Sequence, residues 1–86
     1  MKRVALSEIK PGETVVIERF ALPASEEQFL TRFGLFVGAE VRCARRAPLG
    51  DPTVYMLEES EIALRAETAS RIFAARARTE IGSEQF

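Results

Sequence analysis

The sequence predicts a mainly β domain, a small and strongly bent antiparallel sheet of five to six short strands with one capped helix. Three observations lead to this class. The 86 residues are too few for more than one domain, and 47% of them are hydrophobic, enough to form a core. Short segments rich in β-branched residues alternate with turn signals built on proline and glycine. A single segment combines helix-capping residues with apolar residues at helical spacing.

The first strand is predicted over residues 13–20, ETVVIERF, because β-branched residues follow the turn signal Pro11-Gly12. Apolar side chains are expected on both faces of this strand, which suits a small curled sheet. The two faces carry Val15 and Ile17 on one side, and Val16 and Phe20 on the other.

A helix is predicted over residues 26–33, with a cap at each end. Ser25, followed three residues later by Gln28, fits a capping box, and acidic residues in the first turn favour the positive end of the helix dipole. Gly34 follows the last apolar position and can adopt positive φ, so that Leu35 would pack back on the helix. The helix presents an apolar stripe formed by Phe29, Leu30 and Phe33.

The rest of the chain returns to strand-like patterns. In residues 39–47, AEVRCARRA, Val41 and Cys43 alternate with charged or small residues, which is typical of a half-buried strand. Further strands are predicted over 53–58, 61–65 and 72–75, with a turn at Glu58-Glu59-Ser60 and a short helix over 66–71. We therefore expect one domain over residues 1–75, followed by a frayed C-terminal tail over 76–86.

The segment RRAPLGDP, residues 45–52, allows three interpretations: a phosphate-binding loop, a docking surface, or a turn between strands. It has one glycine and no following lysine, so it does not fit the P-loop pattern. Pro48 fixes φ, Gly50 accepts positive φ, and Asp51 can accept backbone hydrogen bonds within the turn. The loop also displays Leu49 between stiff points, which reduces the entropy lost on binding. We predict a turn that is used for docking.

The sequence has few residues suited to catalysis or to metal binding. It contains no histidine, the usual proton carrier near neutral pH and the commonest metal ligand. Cys43 is the one cysteine and lies in a predicted strand, so a buried and inert thiol is expected. Glu58, Glu59 and Glu61 could offer oxygens to a hard cation, but without an EF-hand spacing a solvated turn is the better interpretation. We expect neither an enzyme nor a bound cofactor.

The net charge and the length of the longest uncharged run indicate which kinds of partner to expect. The net charge is −1, and without a coherent basic surface nucleic-acid binding is not expected. Arginines crowd the segment around Arg42, Arg45 and Arg46, which suits internal ion pairs or the acidic face of a partner. The sequence has no signal peptide, and its longest uncharged run is far below the roughly 20 residues of a membrane-spanning helix. We therefore expect a cytoplasmic protein without membrane insertion.

Four segments occur in an order and at intervals that resemble a known family. They are LSEIKPGE (6–13), FLTRFGLFVGAEV (29–41), RRAPLGDP (45–52) and IALRAETASRI (62–72). Together they resemble the FeoA family, ferrous iron transport protein A, and the resemblance covers nearly the whole domain. The matching positions are Pro11, Gly12, Gly34, Leu35, Gly38, Ala47, Pro48, Gly50, Asp51, Pro52, Ala63, Leu64 and Arg65. The chain departs from the family pattern at Phe36-Val37 and at the acidic turn 58–60.

The resemblance implies an SH3-like β-barrel and an accessory role in ferrous iron transport. The implied partner is a membrane ferrous iron transporter that carries a cytosolic GTPase domain, a FeoB-like protein. Leu35, Phe36, Arg46 and Leu49 are the residues predicted to contact it. The alternative for Leu35 is a buried anchor at the end of the helix.

Two further possibilities stay open at this point, one for the function and one for the assembly of the protein. Iron-dependent repressors carry a similar SH3-like module at their C-terminus, so a free-standing metal-sensing or regulatory domain is the alternative function. Such a sensor would need metal ligands of its own, and few are available. Separately, the strand edges of a small open barrel can pair between copies, so a homo-oligomer is a further expectation.

Overall fold

The structure is a computed structural model that describes residues 3–76. This part of the chain forms six strands, two α-helices and one short 3₁₀ helix. The strands are β1 (Arg3–Ala5), β2 (Thr14–Phe20), β3 (Glu40–Arg46), β4 (Thr53–Met56), β5 (Glu61–Leu64) and β6 (Ile72–Arg76). The α-helices are α1 (Ala24–Arg32) and α2 (Ala66–Ala69), and the 3₁₀ helix covers Leu6–Glu8.

All six strands belong to one antiparallel sheet in the order β1-β6-β2-β3-β4-β5, which confirms the mainly β class. The expected barrel is not closed, because within residues 3–76 the outer strands β1 and β5 do not pair with each other. In this sheet β6, the last described strand, lies between β1 and β2. Five strands were anticipated at about the right positions, whereas β1 and the 3₁₀ helix were not.

The prediction that Phe20 lies on the face opposite Ile17 is wrong, because β2 contains a β-bulge. Ile17 pairs with Ala74 and Arg19 pairs with Phe73, so Glu18 is an extra residue without a partner in the ladder. An extra residue reverses the alternation of side chains beyond it. Phe20 therefore packs against the core instead of lying on the face opposite Ile17. A second register shift in β3 adds to the bend of the sheet.

The core fills the concave side of this bent sheet. In β3, Val41 and Cys43 are buried while Glu40 and Arg42 are exposed, which confirms the predicted half-buried strand. Cys43 lies opposite Tyr55 of β4. The largest side chains that are fully buried are Leu6, Ile9, Val15, Ile17, Leu35, Val41, Cys43, Tyr55 and Ile72.

The N-terminus of α1 differs from the prediction. The helix begins at Ala24 with Pro23 as the N-cap, so Ser25 lies inside the first turn and forms no capping box. Pro23 adopts extended backbone angles, and its carbonyl oxygen accepts hydrogen bonds from the amides of Glu26 and Glu27. Because proline has a fixed φ and no amide hydrogen, it suits the start of a helix.

The C-terminus of α1 is a Schellman motif, as the sequence predicts. Gly34 has a φ of 101°, and its amide donates to the carbonyl of Thr31 at 3.0 Å. The amide of Leu35 donates to the carbonyl of Leu30, also at 3.0 Å. Both leucine side chains are buried in the core. The turn thus directs the chain from the helix into the interior.

The single-domain boundary stays a prediction. Arg76, assigned to the tail by sequence, belongs to β6. The remainder of the predicted tail lies outside the described residues.

We expect Gly34→Ala to lower the free energy of unfolding by about 1–2 kcal/mol, because an L-residue is strained at positive φ. The strain would come from the backbone, since an added Cβ meets only Leu57 Cδ1 at an ordinary 3.6 Å. Gly34→Asn is the matched control, because asparagine tolerates this conformation better. Urea unfolding of the three proteins measures the difference. Equal stabilities for the alanine variant and the unmodified protein would contradict the proposed strain.

Candidate partner-binding surfaces

The β3–β4 loop, residues 47–52, is a compact turn held by its own backbone. The amide of Gly50 donates to the carbonyl of Ala47 at 2.7 Å, and the amide of Ala47 donates to the carbonyl of Pro52 at 2.9 Å. Gly50 has a φ of 91°, which confirms the predicted reason for a glycine there. Leu49 stands at the tip with 96% of its surface exposed. The loop therefore presents one apolar side chain on a constrained backbone.

Asp51 ties this loop to a distant part of the chain. Its Oδ1 accepts a hydrogen bond from the amide of Ala66, the first residue of α2, at 2.9 Å. The predicted bond within the turn is thus replaced by a bond across 15 residues. Since the N-cap residue Arg65 forms no side-chain cap, Asp51 supplies the acceptor that α2 needs.

Arg46 is exposed, and its guanidinium is hydrogen-bonded within the domain. Its Nη2 donates to the carbonyl oxygen of Ile9 at 2.7 Å, and its Nη1 donates to Oγ1 of the buried Thr53 at 3.1 Å. These bonds join the segment after β1 to the β3–β4 hairpin, and the partner contact of Arg46 stays a prediction. Arg45 is exposed too and forms an ion pair with Glu61 at 3.6 Å.

Leu35 and Phe36, which are neighbours in sequence, differ in burial. Leu35 is fully buried, which fits the helix-end anchor given above as the alternative to a partner contact. Phe36 is 43% exposed, and three other apolar residues in or just after α1 are exposed as well. We call this set the phenylalanine patch, and it consists of Phe29, Phe33, Phe36 and Val37. The rings of Phe29 and Phe33 lie 4.9 Å apart between centroids.

The sequence analysis identified the apolar stripe of α1 but not which of its residues would be exposed. Only Leu30 of the helix is buried, whereas Phe29 and Phe33 are more than half exposed. A short helix that contacts a sheet along one edge buries few of its side chains. The exposure of two neighbouring aromatic rings favours an interaction surface.

A groove of about 1010 Å³ lies beside the phenylalanine patch. Its walls come from the end of α1, the first half of β3 and the turn between β4 and β5. The apolar side chains exposed or half-exposed in its lining are those of Phe33, Phe36 and Met56. The acidic side chains around it are those of Glu40, Glu58 and Glu59, and the basic ones are those of Arg32 and Arg42.

The groove and the Leu49 loop lie at opposite ends of β3. Phe36 precedes the strand, Leu49 follows it, and six residue steps of about 3.3 Å each put roughly 20 Å between the two ends. The structure therefore does not bring the predicted contact residues into one surface. We refer to the two surfaces as the loop end and the groove end.

Two titratable groups of the core, the Cys43 thiol and the Tyr55 phenol, have raised pKa values. Burial raises the pKa of the Cys43 thiol, an effect that the nearby Arg46 partly offsets. Burial also raises the pKa of Tyr55, and the adjacent Cys43 adds to the effect. The Tyr55 hydroxyl donates to the carbonyl oxygen of Leu6 at 3.2 Å. A protonated, enclosed thiol is a poor nucleophile.

Across residues 3–76, no three His, Cys, Asp or Glu side chains are grouped so that they could hold a metal ion. Neither α1 nor α2 has the length and apolar character that a membrane span requires.

The architecture is that of a small SH3-like domain, with an exposed loop at one end of β3 and a groove at the other. The FeoA domain matches residues 4–76, and the chain belongs to this family. No curated protein sequence matches the chain.

Solved structures agree with this assignment. The FeoA protein from Chlorobium tepidum is 28% identical with a TM-score of 0.83, and the match covers 87% of this chain and 71% of that one. Iron(II) transport protein A from Clostridium thermocellum is 30% identical with a TM-score of 0.80, covering 86% of this chain and 46% of that one. The IdeR protein of T. acidophilum is similar in fold, at 18% identity and a TM-score of 0.74, covering 90% of this chain and 35% of that one.

We expect Arg46→Met to lower the free energy of unfolding by about 1.5–3 kcal/mol, the usual contribution of hydrogen bonds to a charged group. Arg45→Met is the matched control, because its ion pair with Glu61 is exposed and contributes about 0–1 kcal/mol. Urea unfolding compares the two variants. Equal losses of stability would contradict a structural role for the two hydrogen bonds of the Arg46 guanidinium.

We expect stability to fall in alkaline solution. Cys43 and Tyr55 have raised pKa values in the folded state, so they hold their protons there more tightly than in the unfolded chain. Their contribution is complete below the ordinary pKa values of 9.0 and 10.0 and is lost as the pH rises through the folded values.

The measurement is the free energy of unfolding between about pH 8 and pH 11. Cys43→Ala and Tyr55→Phe remove one titrating group each, so each variant is expected to show a shallower alkaline decline. A decline as steep in both variants as in the unmodified protein would assign the effect to other groups.

Proposed function

We propose that this protein is a small cytoplasmic accessory protein of a ferrous iron transport system. It acts by binding the membrane transporter, which carries a cytosolic GTPase domain, and thereby regulates transport. Membership of the FeoA family supports the choice of system. The observation that carries the binding mode is Leu49, which is 96% exposed at the tip of a hydrogen-bonded loop.

The loop end has the physical properties of a docking element. Its two internal backbone bonds and the Asp51 bond to α2 fix the backbone before any partner arrives. Little conformational entropy is then lost on binding, so the burial of Leu49 contributes nearly its full value. Arg65 is exposed at the same end and offers planar donors to carboxylates on the partner, whereas Arg45 is paired with Glu61.

The SH3-like fold does not imply that the partner supplies a proline-rich peptide. Such peptides dock in aromatic-lined grooves, in which tyrosine and tryptophan combine a ring with a hydrogen-bond donor, whereas the exposed rings at the groove end belong to Phe33 and Phe36. The sequence has no tryptophan, and its one tyrosine, Tyr55, is buried in the core. We therefore assign the contact to the Leu49 loop.

The alternative of a metal-sensing domain has weaker support. The similarity to IdeR lies at 18% identity and concerns the fold alone. No observation in residues 3–76 favours a metal site over the docking role.

The test is affinity capture of the tagged protein from detergent-solubilised cells grown in limiting iron. We expect the unmodified protein to recover the transporter, and Leu49→Ala to reduce the recovered amount about tenfold or more, because a buried leucine contributes roughly 1.5–3 kcal/mol. Val37→Ala is the matched control, since Val37 is an exposed apolar residue at the groove end.

Two outcomes would count against the proposal. If folded Leu49→Ala captures the transporter as well as the unmodified protein, the contact lies elsewhere on the domain. If the folded and abundant unmodified protein recovers no transporter, the family fold serves another purpose in this protein, and a titration with ferrous iron would follow.

A further inference from the structure

Strand β5 has one unpaired side. Within residues 3–76 it pairs with β4, and no strand pairs with its other side. We call residues 61–65 the free edge, because Arg65 follows β5 directly and keeps extended backbone angles. The side chains of Glu61, Ala63 and Arg65 are exposed along it, whereas Leu64 is buried and Ile62 packs against the core. An exposed edge of this kind is a surface on which another strand can pair.

The hydrogen-bonding pattern of the β4–β5 hairpin determines which backbone groups of the free edge are unused. The amide of Leu57 donates to the carbonyl of Ser60 at 2.8 Å, which closes the turn. Bonded and non-bonded pairs alternate along an antiparallel ladder, so the next positions of β5 that bond to β4 are Ile62 and Leu64. The residues that alternate with them turn their backbone groups toward the free side.

The groups on the free side are the amides of Glu61, Ala63 and Arg65 and the carbonyls of Glu61 and Ala63. The carbonyl of Arg65 is used inside the domain, where it accepts from the amide of Ala69. Since the side chains at these positions are exposed, a second strand can approach without displacing a buried residue.

The sequence of the free edge is complementary to itself when it is read in the opposite direction. If two copies pair antiparallel with Ala63 opposite Ala63, then Glu61 of each copy lies opposite Arg65 of the other. Opposite charges at directly opposed positions stabilise a strand pair, and like charges destabilise it. Glu61 Oε1 lies 3.6 Å from Arg45 Nη2 in its own copy, and a carboxylate with two oxygens can accept a second guanidinium. Within residues 3–76 the Arg65 guanidinium has no ion-pair partner.

The same register also suits the backbone and the apolar side chains. The amide of Ala63 donates to the carbonyl of Ala63 in the second copy, and the amide of Arg65 donates to the carbonyl of Glu61 there. On the core side, the half-buried Ile62 meets Leu64 of the second copy, so that more of its surface is removed from water. This register pairs the whole of the free edge.

We propose that β5 pairs antiparallel with β5 of a second copy of this chain, in the register centred on Ala63, to form a symmetric dimer. The pairing occupies the free edge of both copies, so assembly through this strand stops at a dimer. β1 is the other open edge, and its three residues include Arg3 but no acidic residue to oppose it. The inference does not rest on the proposed contact with the transporter, because Leu49 lies outside the free edge.

An exchange of charges tests the register. Glu61→Arg opposes arginine to arginine in a pair of identical copies, and Arg65→Glu opposes glutamate to glutamate. Each variant alone is expected to have a dimer association constant at least about tenfold lower, because both attractive pairs become repulsive. An equimolar mixture is expected to form one-to-one heterodimers, because every charge at these positions then faces an opposite charge. The double variant, Glu61→Arg with Arg65→Glu, is expected to dimerise as the unmodified protein does.

The measurement is sedimentation equilibrium from about 10 µM to 1 mM, the range in which a contact of this small size is expected to be populated. The mean mass of the unmodified protein should rise with concentration from that of a monomer toward that of a dimer. Glu26→Arg is the matched control, since it makes the same change in charge at an exposed position of α1, and it is expected to associate normally. Circular dichroism confirms that each variant is folded.

Ala63→Lys tests the edge independently of the charge pairs. The substitution brings two ammonium groups to the two-fold axis, where like charges oppose strand pairing. This variant is expected to stay monomeric at the highest concentration. Its capture of the transporter, which is assigned to Leu49, is expected to be unchanged, so a failure of one proposal is distinguishable from a failure of the other.

Three results would overturn the inference. The unmodified protein could remain monomeric at the highest concentration. The association could be undiminished in Ala63→Lys, which would place the contact outside β5. Finally, Glu61→Arg and Arg65→Glu could fail to form heterodimers on mixing although the unmodified protein dimerises, which would contradict the register centred on Ala63.

Discussion

The placement of β6 between β1 and β2 is the constraint on which the rest of the fold depends. Ala74 pairs with Val4 on one side and with Ile17 on the other, so the last described strand joins the two strands that begin the chain. β1 has only three residues and depends on this pairing, because so short a strand is not stable alone. Contacts between opposite ends of the chain close a long loop, which makes them costly in entropy.

The segment that follows β1 is hydrogen-bonded to strands in the opposite half of the sheet. The carbonyl oxygen of Leu6 accepts the Tyr55 hydroxyl, and that of Ile9 accepts the Arg46 guanidinium. The β3–β4 hairpin is therefore attached to the N-terminal segment through two side chains. Because Arg46 lies at the end of β3, the same attachment fixes the base from which the Leu49 loop projects.

Local patterns in the sequence were enough to predict the elements that depend on neighbouring residues. The glycine end of α1 is one such element, since Gly34 and Leu35 complete a motif contained within a few residues. The half-buried alternation around Cys43 is another. The start of α1 was predicted two residues late, because Pro23 competes with Ser25 as the cap and supplies a carbonyl acceptor.

Features that depend on distant residues could not be predicted in this way. The partner of Asp51 lies 15 residues away, and the acceptor of Arg46 lies 37 residues away. The exposure of Phe29 and Phe33 depends on how α1 sits against the sheet, which periodicity alone does not specify. For the candidate contact residues, sequence correctly suggested that Phe36 and Leu49 would be accessible, but not that β3 would separate them.

The solvent exposure of Leu49 has a consequence for how the protein can change over time. Because its side chain touches almost nothing in its own domain, position 49 is nearly free of any demand from folding. Most positions that affect binding also affect stability, and mutations there must satisfy both requirements. At position 49 the two requirements are separated, so natural variation or protein engineering can adjust affinity for a partner in small steps while the domain itself stays intact.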